Sequence, residues 1–384
     1  MRELELILAE YDRLKMDGTG CVLATVVHVE GSSYRRAGAR MLIDEFGNIT
    51  GAISGGCLEG DALRKALLAW NQGKNKLITY DTSDEEDAVI GAQLGCNGII
   101  QVLFEPQDYQ NDKNSCELLK MAVLNEQPAA IAIVFSLDSS APQKGTSLIL
   151  AQTRKFLREN IPAELQSVIM KQARICLEQD IPYFGEANLG GSSLQFFIQN
   201  YRPPIKLVLV GAGNDAQILA RQADLLGWRV IVTDGRPTHA NSRRFGSSCQ
   251  VIVSKPEDSL KDIAIDKQTF VVLMSHNYKY DLAVLKLLKE ESQLAYIGIL
   301  GPRKKYQRML DDLEKEGVKP DERFLDRIYA PVGLEIGAET PAEIGLSILA
   351  EIQAVLTGKS ARPLREKQAP IHDKTNNSFN KVKL

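Results

Sequence analysis

The stretch IKLVLVGAGNDAQILARQADLLGWRVIVTD, residues 205–234, constrains the fold more than any other part of the chain. An apolar run ends in Gly211-Ala212-Gly213, an amphipathic pattern with Ile218, Leu219, Ala223, Leu225 and Leu226 follows, and a second apolar run ends in Asp234. That order predicts a buried strand, a tight turn, a helix over 214–227 and a second strand. Gly211 suits the turn, Gly213 lets a phosphate approach the backbone, and Ala216 takes the third small position. A pyrophosphate placed there meets unpaired N–H groups and the positive end of the helix dipole. Asp234, 21 residues after Gly213, stands where a carboxylate takes a ribose diol, and Arg236 beside it leaves room for a 2′-phosphate. The alternative is that the glycines serve packing alone.

Beyond this unit, apolar runs keep alternating with helical patterns: QVIVS, TFVVLM, a helix over 279–290, AYIGIL and more helix. Such alternation predicts a doubly wound parallel sheet, with ligands at the carboxyl ends of its strands. Two further loops belong to that edge. MSHNYKYD brings His276 and Asp281 toward the crevice, and GPRKKY places Gly301, Arg303 and Lys304 at a helix start, where they suit an anionic group. A backbone-bonded loop histidine and a solvated basic turn are the plainer readings. Thr340-Pro341-Ala342-Glu343 reads as a capping box, a structural signal only.

The first half has a different grammar. Strand-like runs such as CVLATVVHV, ARMLI, NITGAI, GIIQVLF and AAIAIVF mix with a few helices, which predicts an α+β domain. Pro203-Pro204 marks the seam between two apolar runs. The fold class is therefore α/β: an amino-terminal α+β domain over 1–200, a doubly wound nucleotide-binding domain over 205–360, and a polar tail over 361–384 that is mobile or docked on a partner chain. A net charge of −3 offers no basic field for a polyanion, so nucleic acid is not expected. The amino terminus reads as an amphipathic helix, not a signal peptide, and no apolar run is long enough to span a bilayer. A cytoplasmic protein with reduced thiols is the expectation, and without a CxxC pair a local zinc site is not.

The stretch GAISGGCLEGD, residues 51–61, sets Cys57 behind Gly55 and Gly56 and ahead of the helical pattern LEGDALRKALLAW. The dipole at a helix start favours a negatively charged sulfur, while Glu59 and Asp61 oppose it. Arg35, Arg36 and Arg40 offset those carboxylates if the fold brings them close. The alternative is a small buried residue in a tight turn. Cys96, behind Gly95 in GCNG, is the second candidate thiol, whereas Cys21, Cys116, Cys176 and Cys249 lie in strand or helix patterns and read as core.

GSSYRRAGARMLI, GAISGGCLEGD and GAQLGCNG in the first half, with LVGAGNDAQILARQADLLGWRVIVTDGRP, YIGILGPRKKY and PVGLEIGAETPAEIGLSILAEI in the second, resemble the XdhC/CoxI family over about residues 1–360. Tyr34 and Ala37 stand where the family has prolines, GCNG replaces a more glycine-rich GCGG, and Asn214 stands where the GAG loop commonly continues with histidine. The resemblance implies a Rossmann-like second domain and a chaperone role. Family members bind the molybdenum cofactor (molybdopterin or a nucleotide form of it), work with a cysteine desulfurase in its sulfuration, and deliver it to a molybdenum hydroxylase such as xanthine dehydrogenase. A thiolate matches a soft metal and can carry a persulfide, so the resemblance implies that Cys57 relays sulfur or ligates molybdenum, with Gly55 and Gly56 leaving room for a bulky cofactor. Arg35, Arg36 and Arg40 would then bind the pterin phosphate, and Gly211, Gly213, Asn214, Asp234, Arg236, His276 and Arg303 would form a second, nucleotide-like site. A homo-oligomer is expected. Two rival functions remain: an NAD(P)-dependent oxidoreductase with His276 as acid, and a nucleotide-sensing binding module.

Overall fold

A computed structural model describes residues 2–31, 33–81, 98–151, 154–158, 161–189, 191–368 and 377–382. The chain divides into two compact units at Pro203/Pro204, and the carboxy-terminal residues 377–382 belong to the first.

The first unit runs α1 (Arg2–Asp17), β1 (Cys21–Gly31), β2 (Arg40–Asp44), β3 (Ile49–Gly51), α2 (Glu59–Gln72), β4 (Lys76–Asp81), β5 (Gly98–Pro106), α3 (Ser115–Leu124), β6 (Ala129–Phe135), β7 (Gly145–Ala151), β8 (Lys155–Leu157), α4 (Ala163–Gln179), β9 (Tyr183–Leu189) and β10 (Ser192–Tyr201). One antiparallel sheet has the order β3-β2-β1-β5-β4. Its two faces are both covered, which is why CVLATVVHV is apolar at nearly every position instead of alternating. Val22, Ala24, Val26, Met41 and Ile43 pack with Ala62, Ala66 and Ala69 of α2. Leu23, Val27, Leu42 and Leu103 join a second core with α1, α3 and the apolar face of the other sheet. That second sheet, built around β9-β10-β6-β7-β8, carries α4 on its far side through Leu165, Ile169 and Ala173.

The second unit holds β11 (Lys206–Val210), α5 (Asn214–Leu225), β12 (Arg229–Asp234), α6 (Ser242–Phe245), β13 (Cys249–Val253), β14 (Thr269–Leu273), α7 (Tyr278–Lys289), β15 (Ile297–Ile299), α8 (Arg303–Lys315), α9 (Glu322–Leu325), β16 (Ile328–Tyr329) and α10 (Pro341–Thr357). Its sheet is parallel with the order β13-β12-β11-β14-β15-β16. The winding reverses between β11 and β14, and that switch point opens the crevice where such sheets bind ligands. α5 and α10 cover one face, α7 and α8 the other. Thr340 and Glu343 form the capping box at the start of α10.

The polar tail does not stay apart. Its last strand, β17 (Asn380–Val382), pairs with β9 of the same chain. Cys21, Cys116 and Cys176 are buried, as strand and helix patterns imply, whereas Cys249 is only half-buried on the edge strand β13.

Candidate functional site

At the switch point, Gly211 has φ +118°, and a Cβ there would lie 2.4 Å from the Ser275 Cα. The turn after β11 thus sits directly on the loop after β14. Gly213 is the N-cap of α5 and, as a glycine, offers no side-chain cap of its own, which suits a helix start that receives an anion. The His276 ring lies about where it would touch a Cβ on Gly213, 3.5 Å away, with Nε2 3.6 Å from the Asp215 carboxylate. His276 holds φ +56°, an uncommon conformation for a residue with a side chain.

Asp234 is committed inward. Its Oδ2 accepts from the Ala212 N–H at 2.8 Å and from Arg236 Nη2 at 2.7 Å, and its Oδ1 accepts from the Arg236 N–H and Nε at 2.9 Å. The carboxylate expected on a ribose diol fixes the glycine turn, and Arg236 is half-exposed beside it. Burial raises the Asp234 carboxyl, but the Arg236 guanidinium and the Ala212 and Arg236 amides outweigh it and hold it below the usual range. A depressed carboxyl stabilises the fold above the unfolded value near 3.9, and that contribution fades as pH falls through the folded value. Asp234→Asn should therefore cost about 2–3 kcal/mol in urea unfolding at pH 7. Its deficit relative to wild type should shrink below about pH 4, and a deficit independent of pH would show that charge is not what holds the turn.

Asn214 is exposed and accepts from Arg244 Nη2 at 3.0 Å, and the same guanidinium reaches the Ala212 carbonyl. Arg303 and Lys304 are exposed at the start of α8. Lys305, which sequence reasoning passed over, is the basic residue that turns inward. Its Nζ donates to Asp281 Oδ2 at 2.7 Å and to the Leu300 carbonyl, and Asp281, fully buried, also accepts from the Ser275 hydroxyl. Gly211, Ser275, Asp281 and Lys305 thereby link the loops after β11, β14 and β15.

In the first unit, Cys57 is a free, half-buried thiol two residues before α2. Ser54 builds the loop around it. The Ser54 hydroxyl accepts from the N–H groups of Gly56, Cys57 and Leu58 at 3.1–3.2 Å and donates to Glu59, which also takes the Ser54 N–H. Burial raises the Glu59 carboxyl, yet these Ser54 bonds hold it below its ordinary value. Glu59 is thus an anchor of the loop, and it holds that place as a carboxylate. Gly56 has φ +109°, with open space where a Cβ would point.

Two sequence motifs meet here. A Cβ on Gly55 would touch the Tyr34 ring at 3.4 Å, and Glu3 joins the loops by accepting from Arg35 at 3.0 Å and from the Ala52 N–H at 3.0 Å. Arg36 is exposed. Arg40 does not join this cluster. On β2 it alternates onto the face of Leu42, opposite Met41 and Ile43, which pack toward α2. It is 5% exposed, donates to the Gly38 carbonyl, and burial pushes its guanidinium down to about 10 against the pull of Glu105. Cys96 and Gly95 lie outside the described residues. Among the described residues no cluster of His, Cys, Asp and Glu could hold a metal, and no helix is long and apolar enough to cross a membrane.

Known proteins resemble this chain over most of its length. A profile described as the XdhC Rossmann domain matches residues 207–352, and one described as the XdhC and CoxI family matches residues 14–81. A Bacillus subtilis (strain 168) protein described as a probable xanthine dehydrogenase component is 35% identical over 342 residues, 89% of this chain and 94% of that protein. The molybdenum cofactor insertion chaperone PaoD of Escherichia coli (strain K12) is 26% identical over 88% of this chain and 85% of its own. A crystal structure of a xanthine dehydrogenase from Bacillus halodurans superposes with a TM-score of 0.72 at 30% identity, covering 95% of this chain and 99% of that one.

Proposed function

Because the chain belongs to the XdhC and CoxI family, we propose that it is an accessory protein that carries the molybdenum cofactor to a molybdenum hydroxylase such as xanthine dehydrogenase and supports the cofactor's sulfuration. The molybdenum cofactor is cargo in this reading. The observation that carries it is the Cys57 loop, whose turn is closed by Ser54, Glu59 and backbone N–H groups and tied to Glu3 through the Ala52 N–H, while the Cys57 thiol is free. A thiolate suits soft molybdenum, and open space at Gly56 admits a bulky ligand. Arg35, paired with Glu3, and the exposed Arg36 follow Tyr34, which meets Gly55, and in this reading they would supply positive charge for a phosphate. A cysteine desulfurase would load sulfur by exchange: the Cys57 thiolate attacks the outer sulfur of the donor's persulfide, one S–S bond forms as another breaks, and the donor thiolate leaves.

The Rossmann crevice, with Gly211, Gly213, Arg236 and His276, serves in this reading as an anion or nucleotide site. A second reading, an NAD(P)-dependent oxidoreductase, draws on the same glycine turn, but Asp234 is already saturated by Ala212 and Arg236, which weighs against a ribose diol there. The two separate on what the protein carries. Purified from cells that make the molybdenum cofactor, it should hold molybdenum and a fluorescent pterin in near-equal amounts and bring an apo-hydroxylase to activity. Bound NAD(P) with no pterin, and no activation, would replace the chaperone reading by the oxidoreductase one.

A further inference from the structure

The carboxy-terminal residues 377–382 occupy a built groove on the first unit. The ladder is short: Asn380, Lys381 and Val382 pair in parallel with Gly185, Glu186 and Ala187. The Phe379 ring does more. It stacks on His28 at a centroid distance of 4.4 Å and meets Phe135 and Phe184 edge-on at 6.1 Å. His28 Nε2 donates to the Asn377 carbonyl at 2.7 Å, Asn377 Nδ2 to the Val29 carbonyl at 2.8 Å, and Asn380 Nδ2 to the Phe184 carbonyl at 3.0 Å. A carbonyl can only accept, so the His28 proton is on Nε2.

The receiving side is equally specific. β1 bulges between Val26 and His28, which aims an imidazole that is 2% exposed at the Phe184 and Phe379 rings. β9 is the outer strand of its sheet until β17 joins it. Three features favour release: the strand is three residues long, one aromatic ring anchors it, and polar sequence precedes it. The latch also grips a consequential place. His28 and Val29 lie just ahead of Gly31, where β1 ends and the loop with Tyr34, Arg35 and Arg36 begins.

We propose that the groove formed by His28, Phe135, Phe184 and the β9 edge is a docking site for a short extended peptide with an Asn-x-Phe-Asn pattern, and that the chain's own residues 377–382 are its releasable occupant, fixing the loop-bearing end of β1 while bound. Strand addition supplies the affinity and the ring pocket the specificity.

The test uses the chain ended at Asn376 and a fluorescein-labelled peptide, KTNNSFNKVKL, copied from residues 374–384. Fluorescence anisotropy should show saturable binding at about micromolar to tens of micromolar Kd, at least tenfold weaker for the peptide carrying Phe379→Ala. The full chain, its groove filled, should bind the peptide at least tenfold more weakly than the shortened chain. Amide exchange at residues 28–31 should speed up in the shortened chain and slow again with peptide, while residues 207–210 stay constant. No binding, equal binding by the full chain, or unchanged exchange at 28–31 would each overturn the proposal. Should the shortened chain fail to fold, Phe379→Ala in the full chain decides: exchange at 377–382 and at 28–31 must rise together, and a rise at the tail alone refutes the coupling.

Discussion

Cys57→Ser protein should unfold at the wild-type temperature and yet lose molybdenum cofactor retention and the ability to activate an apo-hydroxylase by at least tenfold. The first half of that expectation follows from the loop. Ser54 takes the Gly56, Cys57 and Leu58 N–H groups, and Glu59 closes the turn, so replacing sulfur by oxygen removes no bond that holds the backbone. Nor is the side chain sealed in the core, since Cys57 is half-buried where Cys116 is fully buried. The second half follows from chemistry, because a hydroxyl binds a soft metal poorly and forms no persulfide. A packing role would give the opposite pair of results, a loss of about 1–3 kcal/mol from a hydroxyl buried without a partner, with function falling only as far as folding does. Calorimetric unfolding and a reconstituted activation assay read the two halves separately. Wild-type activation by Cys57→Ser would remove the thiol from the mechanism, and the same measurements on Cys96→Ser would show whether that residue shares the role.

The second unit was legible because its signals are local and agree. Strand, GAG turn, helix, strand and acid follow one another within residues 205–234, and the helices expected over 214–227 and 279–290 form as Asn214–Leu225 and Tyr278–Lys289. The first unit was read less completely. Strands KLITYD and YFGEANL mix polar and apolar residues without clean alternation, and their partners lie at β5 and β10, so only the fold reveals them. Arg40 could have been placed from ARMLI itself, where period two sets it with Leu42 and against Met41 and Ile43. Asp234 could not. Its spacing suits a ribose-binding position, and sequence has no signal that a guanidinium two residues on folds back over the carboxylate. Glu3 is the same case, an unremarkable first-turn acid that joins two motif loops. The tail was read from composition as polar and aperiodic, and a single Phe379 with two asparagines was enough to dock it.

The two glycines of the GAG turn should give opposite answers to the same substitution. At Gly211 a methyl group would lie 2.4 Å from the Ser275 Cα and 2.6 Å from the Met274 carbonyl, which are backbone atoms that cannot step aside, and φ +118° is unfavourable for any side chain. Gly211→Ala should therefore cost about 3 kcal/mol or more, a fall in Tm of about 6–12 °C for a unit of this size, or prevent folding outright. At Gly213 the backbone is ordinary, φ −68°, and the nearest atom to a new Cβ is the His276 ring at 3.5 Å, a normal contact. Gly213→Ala should cost only about 1 kcal/mol, the loss of a glycine helix cap. Its effect should instead fall on binding, since the methyl group stands where a phosphate must approach the helix N–H groups. Titration calorimetry with NADPH and with molybdopterin, beside thermal unfolding, separates the two. A stable Gly213→Ala protein that binds at least tenfold more weakly makes the turn a ligand cradle, whereas unchanged affinity for both would leave Gly211 and Gly213 as packing residues and move the site away from the switch point.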